Sequence, residues 1–155
     1  MEENHQYYMR QCIKLANMAL AKGDPPVGAL IVLDGKVIGT GVDAGKSTGD
    51  VTNHAEILAV REAVNGGYAD RLNLSTLYTT HEPCIMCSYL IRHHHISRLI
   101  YGAPVPFVGG ITSDFKILST RDIPKWGQGP EIIGEICLNE CMQLNEDFKK
   151  TLAKS

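Results

Sequence analysis

One hairpin signal followed by alternating helical and strand-like runs constrains this chain more than any other feature. Asp34-Gly35 sits between the apolar runs Val27–Leu33 and Lys36–Gly41, and Asp-Gly at such a junction favours a tight turn joining antiparallel strands. Before it, residues 5–22 repeat apolar positions at helical intervals (Met9, Cys12/Ile13, Ala16, Ala19/Leu20) until Gly23-Asp24-Pro25-Pro26 stops them. After it comes a polar loop over 42–53, then a helix over His54–Asn65 closed by Gly66-Gly67. A strand over Leu74–Thr80, a helix over Cys84–His93 and a strand over Arg98–Gly102 follow. Residues 103–131 are rich in Gly and Pro, and too long for a bare loop in a compact domain, so a short helix is expected around Thr112–Leu118. Glu131–Ile136 reads as the last strand and Leu138–Leu152 as a closing helix.

Helical crossovers feed parallel strands. The pattern therefore predicts an α/β fold: a three-layer α-β-α sandwich around a central mixed sheet of about five strands, its later strands parallel. With 155 residues, no repeat and no linker, the expectation is a single domain over 1–155. Apolar residues make up 44%, enough for a core without disulfide staples. No apolar stretch approaches a membrane span, and the polar start MEENHQYYMRQ has no signal-peptide core, so a cytoplasmic address is expected.

The five cysteines, at 12, 84, 87, 137 and 141, are an odd number, which argues against a disulfide framework. Cys12 and Cys137 lie among apolar neighbours and read as core residues. Cys137 and Cys141 have i, i+4 spacing but no third ligand near them in sequence. Cys84 and Cys87 are different, because Pro83 precedes them and a helix is expected to begin there.

Zinc favours imidazole and thiolate, and a catalytic site uses three protein ligands with the fourth position left for water. His54, Cys84 and Cys87 supply that set for Zn2+. A helix N-terminus also favours the thiolate. Glu56, two residues from His54 and itself no ligand, can carry protons between water and substrate. A lone Cys-x-x-Cys is common and a lone His-x-Glu means almost nothing. Together, in this order, they match the H-x-E…P-C-x-x-C signature of zinc nucleobase deaminases.

At these residues the sequence resembles the cytidine deaminase-like superfamily, in the branch holding tRNA adenosine deaminase, bacterial guanine deaminase and fungal cytosine deaminase. The resemblance covers residues 5–102 and rests on Pro26-Val27-Gly28-Ala29, Asn53-His54-Ala55-Glu56, Leu77-Tyr78-Thr79-Thr80, Glu82-Pro83-Cys84-Ile85-Met86-Cys87 and Ile100-Tyr101-Gly102-Ala103. It implies one catalytic Zn2+ per subunit and a homodimer. It also implies that Val27 packs on the substrate ring, that the Ala55 N–H donates to the ring, that the Glu82 carbonyl faces the leaving amine, and that the Cys84 N–H meets the attacking hydroxide.

Three departures bear on the substrate. Asp43 stands where many relatives have Asn; it either reads N–H or O–H groups of a ligand or is a solvated loop carboxylate. His81 occupies an often apolar position, and is either a pocket wall or a partly exposed strand-end residue. After Ala103 the likeness fades, with Pro-Val-Pro-Phe-Val-Gly-Gly over 104–110 and an acidic start (Glu140, Glu146, Asp147) to the last helix. Phe107, Asp114 and Trp126 in this region are lid or pocket candidates, beside ordinary core or surface roles. His93-His94-His95 reads as a complement to the helix C-terminus rather than a second metal site.

A formal net charge of −2 lowers the expectation of a polyanionic substrate. The sequence therefore points first to hydrolytic deamination of a small aminated nucleobase, nucleoside or related heterocycle. A tRNA wobble-adenosine deaminase comes second, and a non-catalytic zinc-stabilised interaction subunit third. The intact Glu56 speaks against the last.

Overall fold

The computed structural model describes residues 4–154, so the first three residues of the polar start lie outside it. Helix α1 (His5–Ala21) opens with Asn4 as its cap, the Asn4 side chain accepting from the Tyr7 N–H. Strands β1 (Gly28–Leu33) and β2 (Lys36–Val42) pair antiparallel through the Asp34-Gly35 turn, with both turn residues at positive φ. The polar loop beyond holds a short helix, α2 (Gly45–Thr48), pinned by the buried Asp24 carboxylate, which accepts from the Ser47 N–H and hydroxyl at 2.7 Å each.

Helix α3 (Ala55–Asn65), strand β3 (Thr76–His81), helix α4 (Ile85–His93) and strand β4 (Arg98–Ala103) then alternate. Strand β5 (Glu131–Ile133) and helix α5 (Leu138–Ala153) complete the chain. The sheet order is β2-β1-β3-β4-β5; β1 is antiparallel to both neighbours, whereas β3, β4 and β5 are parallel.

Side-chain alternation along the strands divides the core in two. Ala29, Ile31, Leu77 and Leu99 pack with Ala55, Ala59 and Ile91 from α3 and α4. Leu30, Tyr78 and Ile100 pack on the opposite face with Met9, Cys12 and Cys141 from α1 and α5. The expected three-layer α-β-α sandwich is what forms.

Two expectations fail after residue 103. Thr112–Leu118 is not helical; among the described residues of 103–130, the only helical piece is a 3-10 turn over Pro124–Trp126. The cause is competition for backbone donors. The Ile117 and Leu118 N–H groups, which an α-helix over 112–118 would send to the Ser113 and Asp114 carbonyls, bond the Phe115 and Gly110 carbonyls instead, while the Ile111 and Thr112 N–H groups are held by the Glu82 carboxylate. The last strand also stops at Ile133 rather than Ile136, because Gly134 lies against the Tyr101 ring and Glu135 takes a positive φ.

Close helix–sheet contact positions the site. A Cβ at Gly41 would collide with the Ala55 carbonyl, so only glycine lets the start of α3 sit directly on β2. That contact holds His54 at the sheet's edge.

Candidate active site

The N-terminal end of β1 and the C-terminal ends of β3 and β4 lie together, joined by a bond from the Gly28 N–H to Thr80 Oγ1. Parallel sheets commonly place ligands at such strand ends. Helices α3 and α4 both begin here. His54 and Cys84, expected as the first helical residues, are the N-caps instead, one residue before the helices begin, and neither side chain caps its own helix. Both remain available as ligands, while the unpaired N–H groups of two first turns bring positive potential to the site.

Ligand atoms of His54, Cys84 and Cys87 lie within 4.8 Å of one another, and each sulfur is 3.5 Å from His54 Nδ1. Zinc–sulfur and zinc–nitrogen bonds of about 2.3 and 2.0–2.1 Å, set at a tetrahedral angle, require an N···S edge of about 3.5–3.6 Å. The donor set therefore fits zinc in both chemistry and spacing.

The electrostatics agree with that fit. The Cys84 thiol is driven down to about 4 by the Cys87 hydrogen bond and by His54, against its burial. Cys87 is pushed the other way by the Cys84 bond and by burial, because two adjacent thiols resist ionising together. A divalent cation removes that conflict. His54 is raised to about 9, chiefly by its bond to Cys84.

Glu56 lies beside them, 3% exposed, with one carboxylate oxygen lacking any hydrogen-bond partner. Burial is the main cause that raises its pKa to about 7; the Cys84 charge adds to this and His54 opposes it. A carboxyl at this value both takes up and releases protons near neutrality.

A cavity of about 290 Å³ opens over the cluster, lined by Val27, Asp43, His54, Glu56, His81, Glu82 and Cys84, with Pro25, Val105 and Val108 closing it. A second, open cleft of about 400 Å³ shares Pro25, Asp43 and His54 with it and runs along Gly45, Lys46, Gly49 and Val51. A larger cleft of about 440 Å³ lies at the other end of the sheet, between Tyr8, Tyr78 and Arg98, away from the cysteines and Glu56.

Asp43 is 4% exposed rather than a solvated loop residue; one oxygen accepts from the Gly45 N–H, and burial raises its pKa. His81 is buried as well, not partly exposed. Its Nδ1 is 2.8 Å from Thr80 Oγ1 and its Nε2 is 2.7 Å from Asn145 Oδ1. Asn145 Oδ1 can only accept, so the proton on neutral His81 sits on Nε2, and the Thr80 hydroxyl donates to Nδ1. With both nitrogens engaged, His81 offers the cavity ring surface and no polar edge.

Ala55 is fully buried at the start of α3, next to the cluster. The Glu82 side chain turns away from the zinc ligands into the 105–112 loop. The structure does not bring Phe107, Asp114 or Trp126 to the cavity. Phe107 is 88% exposed and Asp114 is exposed. Trp126 is buried under the Arg92 guanidinium, 5.1 Å from its ring centroid, because Arg92 also needs the Ile117, Thr120 and Gly127 carbonyls nearby.

Sequence reasoning missed Pro25, Val105, Val108 and Asn145. The Gly109-Gly110 pair was the usable signal for two of them. A Cβ at Gly109 would strike the Glu82 carboxylate and one at Gly110 the Ser88 hydroxyl, so that pair draws the Val105–Val108 run against the zinc helix. The histidine triplet ends α4 beside Asp70 and Asn73, and among the described residues no metal-competent cluster includes it.

Residues 2–103 match the family described as the cytidine and deoxycytidylate deaminase zinc-binding region. The chain belongs to this family. It is a zinc-dependent hydrolytic deaminase, and three members show its nearer surroundings. A tRNA-specific adenosine deaminase of Aquifex aeolicus (strain VF5) is 35% identical over 150 residues, covering 95% of each chain. A chain from structural studies of A-to-I editing by tRNA:A34 deaminases superposes with a TM-score of 0.81 at 33% identity, covering 89% of this chain and 98% of that one. A Bacillus subtilis guanine deaminase is 34% identical over 66% of each chain, with a TM-score of 0.61. The deaminase fold thus extends past residue 103, where the sequence motifs fade.

Proposed function

We propose that this deaminase converts the wobble adenosine of a tRNA anticodon to inosine, releasing ammonia. The observation that carries the reading is the pairing of two spaces. A base-sized cavity sits over Glu56 and the cysteines, and an open cleft with Lys46 at its edge continues from it. A free base needs only the first; a flipped-out nucleotide also needs a path for its neighbours. Likeness to tRNA-specific adenosine deaminases along nearly the whole chain supports the same substrate. The net charge of −2, which with the divergent C-terminal third favours a small substrate, averages over surfaces that never meet the ligand.

His54, Cys84 and Cys87 hold the zinc, which when bound supplies a polarised water for attack on the amine-bearing carbon. Glu56 takes one proton from that water and gives it to the ring nitrogen, then takes the other from the hydroxyl now on carbon and passes it to the amine, which leaves as ammonia. Val27, Val105, Val108 and the His81 ring sandwich the base, and the Ala55 N–H and Glu82 carbonyl fix its edge. Asp43, an acceptor only when ionised, meets a ribose hydroxyl. The chain works in the cytoplasm as a homodimer.

A free aminated base is the second reading, favoured by the acidic residues of α5 (Glu140, Glu146, Asp147), which suit a polyanion poorly, and by the likeness to guanine deaminase. Ammonia release from an anticodon stem-loop with a wobble adenosine, adenosine, guanine and cytosine separates the two. Turnover of the stem-loop alone supports wobble editing; turnover of a free base with an inert stem-loop overturns it.

A further inference from the structure

We infer that Glu82 is a positioning residue for substrate recognition: its carboxylate holds the loop that forms one wall of the cavity. Glu82 is 2% exposed and carries four hydrogen bonds to a segment more than twenty residues away. Oε1 accepts from the Val105 N–H at 2.8 Å and the Thr112 hydroxyl at 2.5 Å. Oε2 accepts from the Ile111 and Thr112 N–H groups, both at 2.8 Å.

These bonds span the loop. Val105 is its first anchored residue, Ile111 and Thr112 its last, and Val108 stands between them with Val105 on the cavity. The loop contains no helix or strand to hold its shape, apart from a single bridge between Gly109 and Cys84. Backbone bonds from the Gly109 N–H to the Val105 carbonyl and from the Gly110 N–H to the Pro83 carbonyl close its turn, and the Glu82 carboxylate is the side chain that ties down both of its ends. That side chain belongs to the residue before Pro83-Cys84, so the metal-bearing turn and the substrate wall share one anchor.

An ionised carboxylate is the only common side chain that accepts at both ends. Glutamine would set an NH2 group against either the Val105 or the Ile111/Thr112 donors. A loop so released loses its grip on substrate without touching the proton shuttle at Glu56. The inference rests on the deaminase assignment and not on which base is deaminated.

The test uses the zinc-loaded full chain and the substrate of the stem-loop, adenosine, guanine and cytosine panel that the wild type turns over fastest, so a free-base winner overturns wobble editing and leaves this question open to decision. Glu82→Gln should raise KM about tenfold with kcat changed far less, since one or two charge-assisted bonds are lost. Thr112→Val, which removes one bond from an exposed residue, should shift KM in the same direction by less. Hydrogen exchange should speed up at the Val105, Ile111 and Thr112 amides in Glu82→Gln while zinc content holds. Val108→Ala added to Glu82→Gln should cost less than the two changes apart, because both act through one wall. Loss of zinc in Glu82→Gln with normal KM in Thr112→Val, or additive effects with Val108→Ala, overturns the inference.

Discussion

His81 Nε2 lies 2.7 Å from Asn145 Oδ1, which ties the end of the central strand β3 to helix α5 across 64 residues of chain. The bond makes the C-terminal helix part of the cavity's support. Asn145→Ala leaves the buried Nε2–H without its acceptor, and a buried donor left unpaired costs about 1–3 kcal/mol. Denaturant unfolding of the zinc-loaded protein should show a loss of that size, with zinc content unchanged. An unaltered midpoint would mean that α5 does not hold His81.

The same histidine gives a pH dependence. Burial lowers its pKa below the ordinary 6.5, and the Asn145 bond opposes this only in part. The unfolded chain therefore binds the proton more readily than the folded one. Stability from neutral His81 is complete above pH 6.5 and declines as pH falls from there through the lower folded value. His81→Phe removes the titrating group, so unfolding free energy measured from pH 7.5 downward should fall less steeply in that variant than in the wild type. Parallel curves would refute the assignment.

How much of this was readable in advance follows from the range over which each residue acts. The hairpin, the alternating elements and the His54, Glu56, Cys84 and Cys87 cluster depend on local periodicity and on short motifs at helix starts. They are legible because the chemistry sits where the local pattern changes. Trp126 is a lid or pocket candidate in the sequence, beside a core or surface role, because it falls in the stretch where the family likeness fades. It is instead the cover of Arg92, whose three carbonyl partners are scattered over Ile117–Gly127. The stretch expected as a helix near Thr112 is shaped for a related reason: a carboxylate about thirty residues upstream holds its first residues, and the Leu118 N–H goes back to the Gly110 carbonyl rather than to Asp114. No window of sequence displays a bond between positions 82 and 112.

Glu56→Gln should separate binding of metal from turnover. The residue is no ligand, and its unpaired buried oxygen marks a group held for chemistry rather than for the fold. Loss of a general acid–base reduces rate by about 10²–10⁴. Activity should fall by at least the lower figure while elemental analysis still finds about one zinc per chain. Cys84→Ala, by contrast, should lose both the metal and the activity. Turnover in Glu56→Gln near the wild-type rate would refute the proton shuttle.

Gly41→Ala tests whether β2 positions the metal site. The added methyl meets the Ala55 backbone carbonyl, which no side-chain rotation can move away, so the start of α3 must shift and His54 with it. Overpacking of this kind costs about 1–3 kcal/mol. The sharper expectation concerns the metal: competition with a chromogenic chelator should show weaker zinc retention than in the wild type. Gly35→Ala, at a turn remote from His54 and with open space around it, strains a positive φ instead. It should lower stability and leave zinc retention alone. Equal zinc retention in the two variants would sink the link between Gly41 and His54.

Cysteine reactivity offers a last separation between the metal pair and the other thiols. Cys12 and Cys141 are fully buried in the cluster under α1 and α5. Burial pushes the Cys12 thiol well up and carries Cys141 to about 12, so neither presents a thiolate at ordinary pH. Cys84, driven down to about 4 and partly accessible, is the reactive thiol of the metal-free protein. Iodoacetamide at pH 8 should therefore label Cys84 first after zinc is chelated, and zinc should protect it. Cys12 and Cys141 should react only on unfolding. Peptide mapping that finds Cys12 alkylated in the native protein would show that the α1 face opens.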